Sequence, residues 1–485
     1  MAKMIGSTRC GVIVAAAVLA IVCAAVPSQA KTVNVRNSDE LQRALNAAQA
    51  GDEILLLPGV YEGLQSRPKG KGTANSPIVV RANAMGDALI RVNSTVGITL
   101  SGPYWRFENL DFEGVCANHS ACEHAMHITG SSDHTVVRNS RFRNFNAAIK
   151  GNGFATANGG NFPDHVIIER SYFYNDEPRQ TPNPVTAIDV VGGRGWILRD
   201  NFIADYEKAQ GNKISYMGFL KGGAREGLIE RNLVICEWRH SGNVRVPLSI
   251  GGGGTGDSYC EGKTCEFEAD RIVMRNNITM NCPADTGLYL NKARNSRIYN
   301  NLYFNTSGID VRFGESQAVL QNNVITASIR PRDGGQFSQS NNVIAGTWIG
   351  QYVGPVERYV KRRLEGQDAK HPSLIKPEYV DFAQDTVGQL ADLIRNSWLG
   401  YGSNPIRDMY ASPDDGDFAL RDPDAIVGRA AIVEGLEDDF CGNPRGRPPH
   451  DIGPIEYGSQ PCDPRERIRR LVELERAQEL RLSSQ

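Results

Sequence analysis

Residues 271–279, RIVMRNNIT, are followed by SRIYNNLYF at 296–304, AVLQNNVI at 318–325 and FSQSNNVI at 337–344. Each stretch joins two short apolar runs through a pair of small polar residues. Toward the N terminus the same unit reads GLIERNLV (227–234), WILRDNFI (196–203), VIIERSYF (166–173), TVVRNSRF (135–142) and WRFENLDF (105–112). With the last polar residue as marker, the series is Asn109, Ser140, Ser171, Asn201, Asn232, Asn277, Asn301, Asn323 and Asn342, at intervals of 31, 31, 30, 31, 45, 24, 22 and 19 residues. Periods of this size mark a solenoid. Each interval suits one coil of three short strands, which alone cannot bury its Val, Ile, Leu and Phe; coils stacked about 4.8 Å apart make one continuous apolar column. Asn suits the marker because a turn there calls for left-handed geometry and a side chain that bonds its own kind one coil above and below. The expectation is an all-β chain, a right-handed parallel β-helix of nine or more coils over residues 31–350.

The ends fit a helix that hides its edges. Ser38 to Leu45 reads as a Ser-capped amphipathic helix, followed by the turn Gly51-Asp52 and a strand from Glu53 to Leu57, which together plug the first coil. Residues 351–463 read as a mixed, Pro-containing, charged segment packing along or capping the β-helix, and 464–485, with alternating Arg and Glu, as a solvated helical tail. At the start, Lys3 and Arg9 precede an apolar run from Val12 to Val26 that ends in Ser28-Gln29-Ala30, the pattern of a signal peptide cleaved after Ala30. No later window approaches the roughly 18 apolar residues of a membrane span. The mature chain is expected to be secreted or periplasmic, and monomeric.

The net charge of −2 becomes about −4 when the two basic leader residues are removed. That balance argues against a nucleic-acid partner. The ten Cys fall to eight outside the leader, an even number that favours disulfides in an oxidising compartment. Spacing pairs Cys116 with Cys122, Cys260 with Cys265 and Cys441 with Cys462. Cys236 and Cys282 lie four and five residues beyond markers Asn232 and Asn277, so stacking brings them within bridging range.

In such a fold the inward positions are spent on packing, so chemistry belongs to outward residues of one sheet. LYLNKARNSRIYNN and IDVRFGESQAVLQNN place Lys292 and Arg312 at nearly equivalent points of adjacent coils. His124, His127 and His134 read as unrelated surface positions. The run Gly251 to Gly254 lacks the GK[ST] ending of a phosphate loop and reads as a bend or a close approach by sugar.

The stretch from Asn291 to Asn323, with HSGNVRVPLSIGGGG upstream (240–254), resembles the catalytic coils of the chondroitinase B and alginate lyase family, polysaccharide lyase family six. SDELQRALNAAQAGDEILLLPGVYEG (38–63) is similar to that family's entrance segment. The likeness is fold-wide from Val33 to Ala345 and motif-specific from Asn243 to Arg312. It implies β-elimination on an acidic, uronic-acid polysaccharide, with Lys292 as the base that takes the C5 proton and Arg312 as its acid or charge-stabilising partner. The chemistry agrees: C5–H becomes acidic only when the neighbouring carboxylate is neutralised, and a nearby base must then accept the proton. Family members often hold that carboxylate through calcium bound by an Asn and two Glu. Here Asn243 matches the Asn, but Asp285 and Gly287 stand at the acidic positions, so one ligand is shortened and one lost, and the expectation is no cofactor or a poorly served calcium. Lys221, Arg225 or Arg245 would then neutralise the substrate, with Tyr289, Asp310 and Arg330 on the same binding face.

Two other readings compete. A glycoside hydrolase or C5 epimerase would use Asp189 and Asp310, but three or four coils between them, roughly 15 to 19 Å, exceed the separation of about 5 to 9.5 Å that hydrolysis needs. A non-catalytic carbohydrate-binding β-helix would rely on aromatics such as Tyr216, Trp238, Tyr289 and Tyr303.

Overall fold

The computed structural model describes residues 30–156, 159–252, 254–260, 263, 265–344, 360, 387, 405–458 and 460–483. The leader expected up to Ala30, apart from Ala30 itself, and nearly all of 345–404 lie outside the described residues. The chain winds into three parallel sheets of twelve, eleven and nine strands, each strand pairing with its counterpart one coil on. Connections of this parallel kind turn right-handed. In the first sheet Val273–Arg275 pairs with Ser296–Tyr299, which pairs with Gln317–Gln321 and then Gln336–Ser340. Variable coil length is absorbed in the turns, while the strands keep their register.

Inward positions stack like on like. Phe112, Phe142 and Phe173 lie parallel with centroids 5.1 and 5.0 Å apart, and the column continues through the coils as one buried apolar core. Beside it runs the polar ladder. Oδ1 of Asn301 accepts from the backbone N–H and side-chain amide of Asn277, both at 2.9 Å, and the same pattern links Asn201 to Asn232, Asn232 to Asn277, Asn301 to Asn323 and Asn323 to Asn342. Ser140 and Ser171 extend it with hydroxyls, and its last member is the backbone N–H of Leu110.

Two expectations about this unit need correction. Asn109 is not a ladder residue; Leu110 occupies that place on its coil. Nor does the marker carry the left-handed turn. Positive φ falls on the residue before it, at Asn109, Asn139, Arg170, Asp200, Arg231, Asn276, Asn300, Asn322 and Asn341. The Asn-Asn doublet therefore divides two tasks, the first Asn tolerating left-handed backbone and pointing out, the second pointing in to bond the next coil.

The outward Asn residues also dock the C-terminal segment. Asn276 donates to the carbonyl of Asp438 at 2.8 Å, Asn300 to that of Asp451 at 3.1 Å and Asn341 to that of Arg429 at 3.0 Å, while Asn322 accepts from the N–H of Ala431 at 2.8 Å. Residues 405–458 lay Ile406, Tyr410, Phe418, Phe440 and Ile455 over the outer face of the second sheet and form a second apolar cluster. The final helix, Arg465–Ser483, is not a solvated tail. Its Leu471 is buried in that cluster, and the Gln478 side chain donates to Asp111 at 2.6 Å, beside the buried Asp111–Arg141 pair.

At the other end the helix Ser38–Ala47 buries Leu41 and Leu45 over the first coil. Its cap is Asn37, whose side chain accepts from the N–H of Glu40 at 2.9 Å, so Ser38 is the first helical residue and not the cap. All four expected cysteine pairs are disulfide-bonded; Cys236 and Cys282 bridge neighbouring coils with their Cα atoms 4.9 Å apart. Among the described residues no helix is long and apolar enough to cross a membrane.

Replacing Asn277 by Ala would strand the buried carbonyl of Ile229 and the amides of Asn232 that Asn277 now satisfies. We expect a loss of about 3 to 5 kcal/mol, at about 1 to 3 kcal/mol for each buried group left unpaired. Asn342→Ala, in the half-buried last rung, should lose less than half as much. Denaturant titration of both variants checks the difference, and equal losses would show that burial of the ladder does not matter.

Candidate active site

Two of the three outer faces are occupied. The first sheet is laced along the helix axis by ion pairs such as Arg81–Glu53 at 2.7 Å, Arg199–Glu169 at 2.6 Å and Arg275–Glu230 at 2.8 Å. The second lies beneath the C-terminal segment. Among the described residues, the third sheet carries the remaining candidates. Its central outward column runs by register through His127, Lys150, Asp189 and Phe219, then Ser249, Tyr289, Asp310 and Arg330.

Lys292 and Arg312 meet at the lower part of this face, but not as equivalent residues. Arg312 ends its strand opposite Asn291, and Lys292 stands one residue further on, in the turn, with a φ of 50°. Left-handed backbone there reorients the lysine, and both cations reach one ring: Lys292 Nζ lies 5.9 Å and Arg312 Cζ 4.5 Å from the centroid of Phe313. Lys292 also pairs with Glu315 at 3.1 Å. Arg312 donates to the Tyr289 hydroxyl at 2.8 Å and pairs with Asp333. Burial pulls the proton affinity of the Arg312 guanidinium down, but its hydrogen bonds to Tyr289 and Asp333 outweigh that and hold it above the ordinary value. Tyr216 lies near the same cluster; burial first, then Asp285 and Tyr289, push its phenol up to about 12 against the opposing pull of Arg312. It stays protonated.

The remaining candidates separate clearly. Asp310 is 2% exposed, its two carboxylate oxygens taken by Arg330 and Arg332, both at 2.6 Å, so these three form one clamp at the lower end of the column. Asp189 lies four rungs away, about 19 Å at the usual strand spacing, and is paired with Lys150 at 2.7 Å. A hydrolase pair is therefore not assembled. Arg245 is not on the binding face. It is 1% exposed at the corner between the second and third sheets, where its guanidinium donates to the carbonyls of Gly242 and His240, each at 2.9 Å, and pairs with Glu207. Arg225 sits at a different corner, 5.4 Å from the centroid of Phe267. Lys221 does reach the third sheet, where its ammonium lies 4.4 Å over the ring of Phe219.

The residues expected to bind calcium do not fit it. The Asn243 amide donates to Glu207 at 2.6 Å, and Glu207 is already paired with Arg245. At Gly287 even a Cβ would lie 2.6 Å from Thr306 Oγ1 and 2.9 Å from Tyr303, so the acid carried there by the family has no room. Among the described residues no three His, Cys, Asp or Glu converge on a possible metal position. A cation that takes six to eight oxygens is poorly served by this set.

Of the aromatics considered for sugar binding, Tyr216 and Tyr289 belong to this face. Tyr303 is wholly interior, and Trp238 packs edge-on against Phe202 beneath the C-terminal segment. Sequence reading missed the upper half of the column. His124 and His127 were read as surface positions, yet burial pushes His124 down to about 4, and His127 lies in register with Lys150, which is in register with Asp189. These three are 23 and 39 residues apart, a spacing that shows no regularity until the coils are aligned.

The sequence model of the family described as Chondroitinase B matches residues 35–226. It covers Lys150, Asp189 and Lys221 and ends before Asn243, upstream of the stretch whose motifs resemble the family's catalytic coils. No curated protein matches the chain. Among solved structures, pectate lyase Pel9A aligns over 88% of this chain and 96% of its own at 13% identity with a TM-score of 0.51, a likeness of fold. A family six polysaccharide lyase from Pseudopedobacter saltans aligns over 71% of this chain and 96% of its own at 14% identity, TM-score 0.34. An alginate lyase from Paenibacillus sp. aligns over 65% and 96% at 15% identity, TM-score 0.33. Residues 35–226 are thus similar to the chondroitinase B family, and the chain shares the all-β solenoid fold of pectate lyase Pel9A.

Proposed function

We propose that the protein is a secreted lyase that cleaves a uronic-acid polymer by β-elimination on the third sheet. The observation that carries this reading is the convergence of Lys292 and Arg312 at Phe313, with Tyr289 bonded to Arg312, on the third sheet. Lys292, as the neutral amine, takes the C5 proton; the electron pair forms the C4–C5 double bond and the C4–O4 bond breaks. Arg312 faces the substrate carboxylate and lowers the cost of the enolate-like charge. A guanidinium held above its ordinary value is a poor proton donor, and a phenol is ordinarily about three units more acidic. The hydroxyl of Tyr289, hydrogen-bonded to Arg312 at 2.8 Å, is the group assigned to protonate O4. Solvent then takes the proton from the Lys292 ammonium and gives one to the Tyr289 phenolate, which restores the site. No step passes through a metal. Four disulfides suit an oxidising compartment outside the cytoplasm, where such a polymer is met.

The test is to incubate the protein with alginate, pectate and chondroitin or dermatan sulfate and follow the ultraviolet absorbance of an unsaturated uronate. Lys292→Ala should lower kcat by about 10²- to 10⁴-fold, the usual contribution of a positioned base, and Tyr289→Phe should lower kcat more than it raises KM. A flat trace for the intact protein on every polymer, with binding retained, would instead favour a carbohydrate-binding module.

Glu315 gives a pH test. A hydrogen bond from the backbone and then the Lys292 ammonium hold its carboxyl below the ordinary range, so it stays anionic and makes its ion pair with the ammonium form of the base. Glu315→Gln removes that pair. The acid limb of kcat/KM should move to lower pH by up to about one unit, a small shift because the pair is half exposed. A limb that moves to higher pH would contradict the assignment of Lys292 as base.

A further inference from the structure

Three rungs above Tyr289 the third sheet holds a second set of charges that the elimination step does not use. Lys150 pairs with one oxygen of Asp189 at 2.7 Å. The other oxygen, Oδ1, is buried and has no hydrogen-bond partner, and Asp189 as a whole is only 8% exposed. Lys221 lies one strand further down. Its aliphatic stem packs on Gly252, where a Cβ would come within 2.4 Å of Cδ, and its ammonium turns to the ring of Phe219 at 4.4 Å. Gly252 thus makes room for this lysine, while Gly251 lets the backbone pass the carbonyl of Asn291. Burial draws the Lys221 proton affinity down; Asp189 opposes it, Lys150 adds to it, and Glu268 opposes it further.

The balance is uneven in a specific way. Lys150 takes one oxygen of Asp189 and leaves the other unfilled, while Lys221, in the field of Asp189 and Glu268, turns its ammonium to a ring. A buried charged acceptor left without a donor is costly, as is a shielded cation turned to a ring and not to a carboxylate oxygen. A ligand that removes both deficits must present a hydroxyl donor and an anionic oxygen close together, as the ring of a hexuronate residue does. Apolar surface stands at the same rim. Phe154 and Tyr259, 60% and 64% exposed, follow the C-terminal ends of the strands Ile149–Asn152 and Val244–Ile250, and the segments that carry them pack together. Exposed aromatic rings of this kind offer flat faces to the apolar side of a sugar.

We propose that Lys150, Asp189 and Lys221, flanked by Phe154 and Tyr259, form a distal subsite for an acidic sugar residue of a chain whose scissile bond lies at Lys292 and Arg312. By register Asp189 is three rungs from Tyr289, and Lys221 three from Arg312. At the usual strand spacing this is about 14 Å, so a ligand must be several sugars long to occupy both places. The subsite rests on the lyase reading for its substrate, and it makes the protein a selector of long chains: binding energy gathered at Lys221 fixes the polymer in register over the base.

The test compares a trisaccharide with a long oligomer of whichever uronate polymer is cleaved. The protein should favour the long one through KM, and Lys221→Met, which keeps the stem on Phe219 but removes the charge, should reduce that KM ratio roughly 10-fold. Retention of the full ratio by Lys221→Met would overturn the subsite. If this variant loses its cooperative thermal transition, Phe154→Ala and Tyr259→Ala decide the matter from exposed positions; each should reduce the ratio roughly 3-fold, and an unaltered ratio in both overturns the proposal. If the intact protein cleaves nothing, calorimetric titration with polyuronate separates the two readings. Binding that is lost in Lys221→Met supports the subsite while the lyase reading fails, and absence of binding by the intact protein overturns the subsite as well.

Discussion

Register between coils is the constraint from which the rest of the molecule follows. Each inward ladder side chain from Ser140 to Asn342 accepts from the backbone of the coil before it, and the asparagines also donate side chain to side chain, so a coil that slipped by one residue would leave buried amides unpaired and turn its apolar residues outward. The ladder is effective because it sits inside the apolar column, where water cannot compete. It also frees the outer face: with the backbone satisfied by neighbouring coils and the interior filled, outward side chains are chosen by what each face must meet.

Those faces differ in their partners. Ion pairs run along the first sheet, and the second is covered by apolar residues of the C-terminal segment, held by the outward Asn of each doublet from Asn276 to Asn341. The third sheet gathers cations at two places. Near Phe313 the cations of Lys292, Arg312, Arg330 and Arg332 face the carboxylates of Glu315, Asp333 and Asp310; further up, Lys150 and Lys221 lie near Asp189 and Glu268. Surface pairs of this exposure are individually weak. A repeating polyanion laid along the groove would meet several of them at once, and that multiplicity is the physical case for a polymer over a small ligand.

The two ends of the groove are specialised differently. Around Lys292 the backbone itself is bent to purpose, with left-handed geometry at the lysine and at Phe313, its counterpart one coil on, and a phenol held by a guanidinium. Around Lys221 the strands are regular, and Gly252 accommodates one long side chain. The first arrangement suits proton transfer; the second suits holding.

The repeat in the sequence was enough to specify the fold and the Cys236–Cys282 bridge, because stacking couples residues at matching points of successive units whatever lies between them; the three strands of the first sheet that precede Trp105 carry no such unit and were not counted. Lys292 and Arg312 were legible as neighbours for the same reason. Other features were beyond it. Arg245 looked like a substrate ligand until the corner between two sheets closed over it and turned its guanidinium to Glu207 and the carbonyls of Gly242 and His240; the final helix looked solvated until Leu471 and Gln478 found their partners on coils hundreds of residues earlier; and Lys150, Asp189 and Lys221 had no common spacing. Local pattern determines which residues stack, since that depends only on position within a coil. Which outward side chains meet depends on turn lengths and on what packs from outside, and those are settled only when the whole chain is folded.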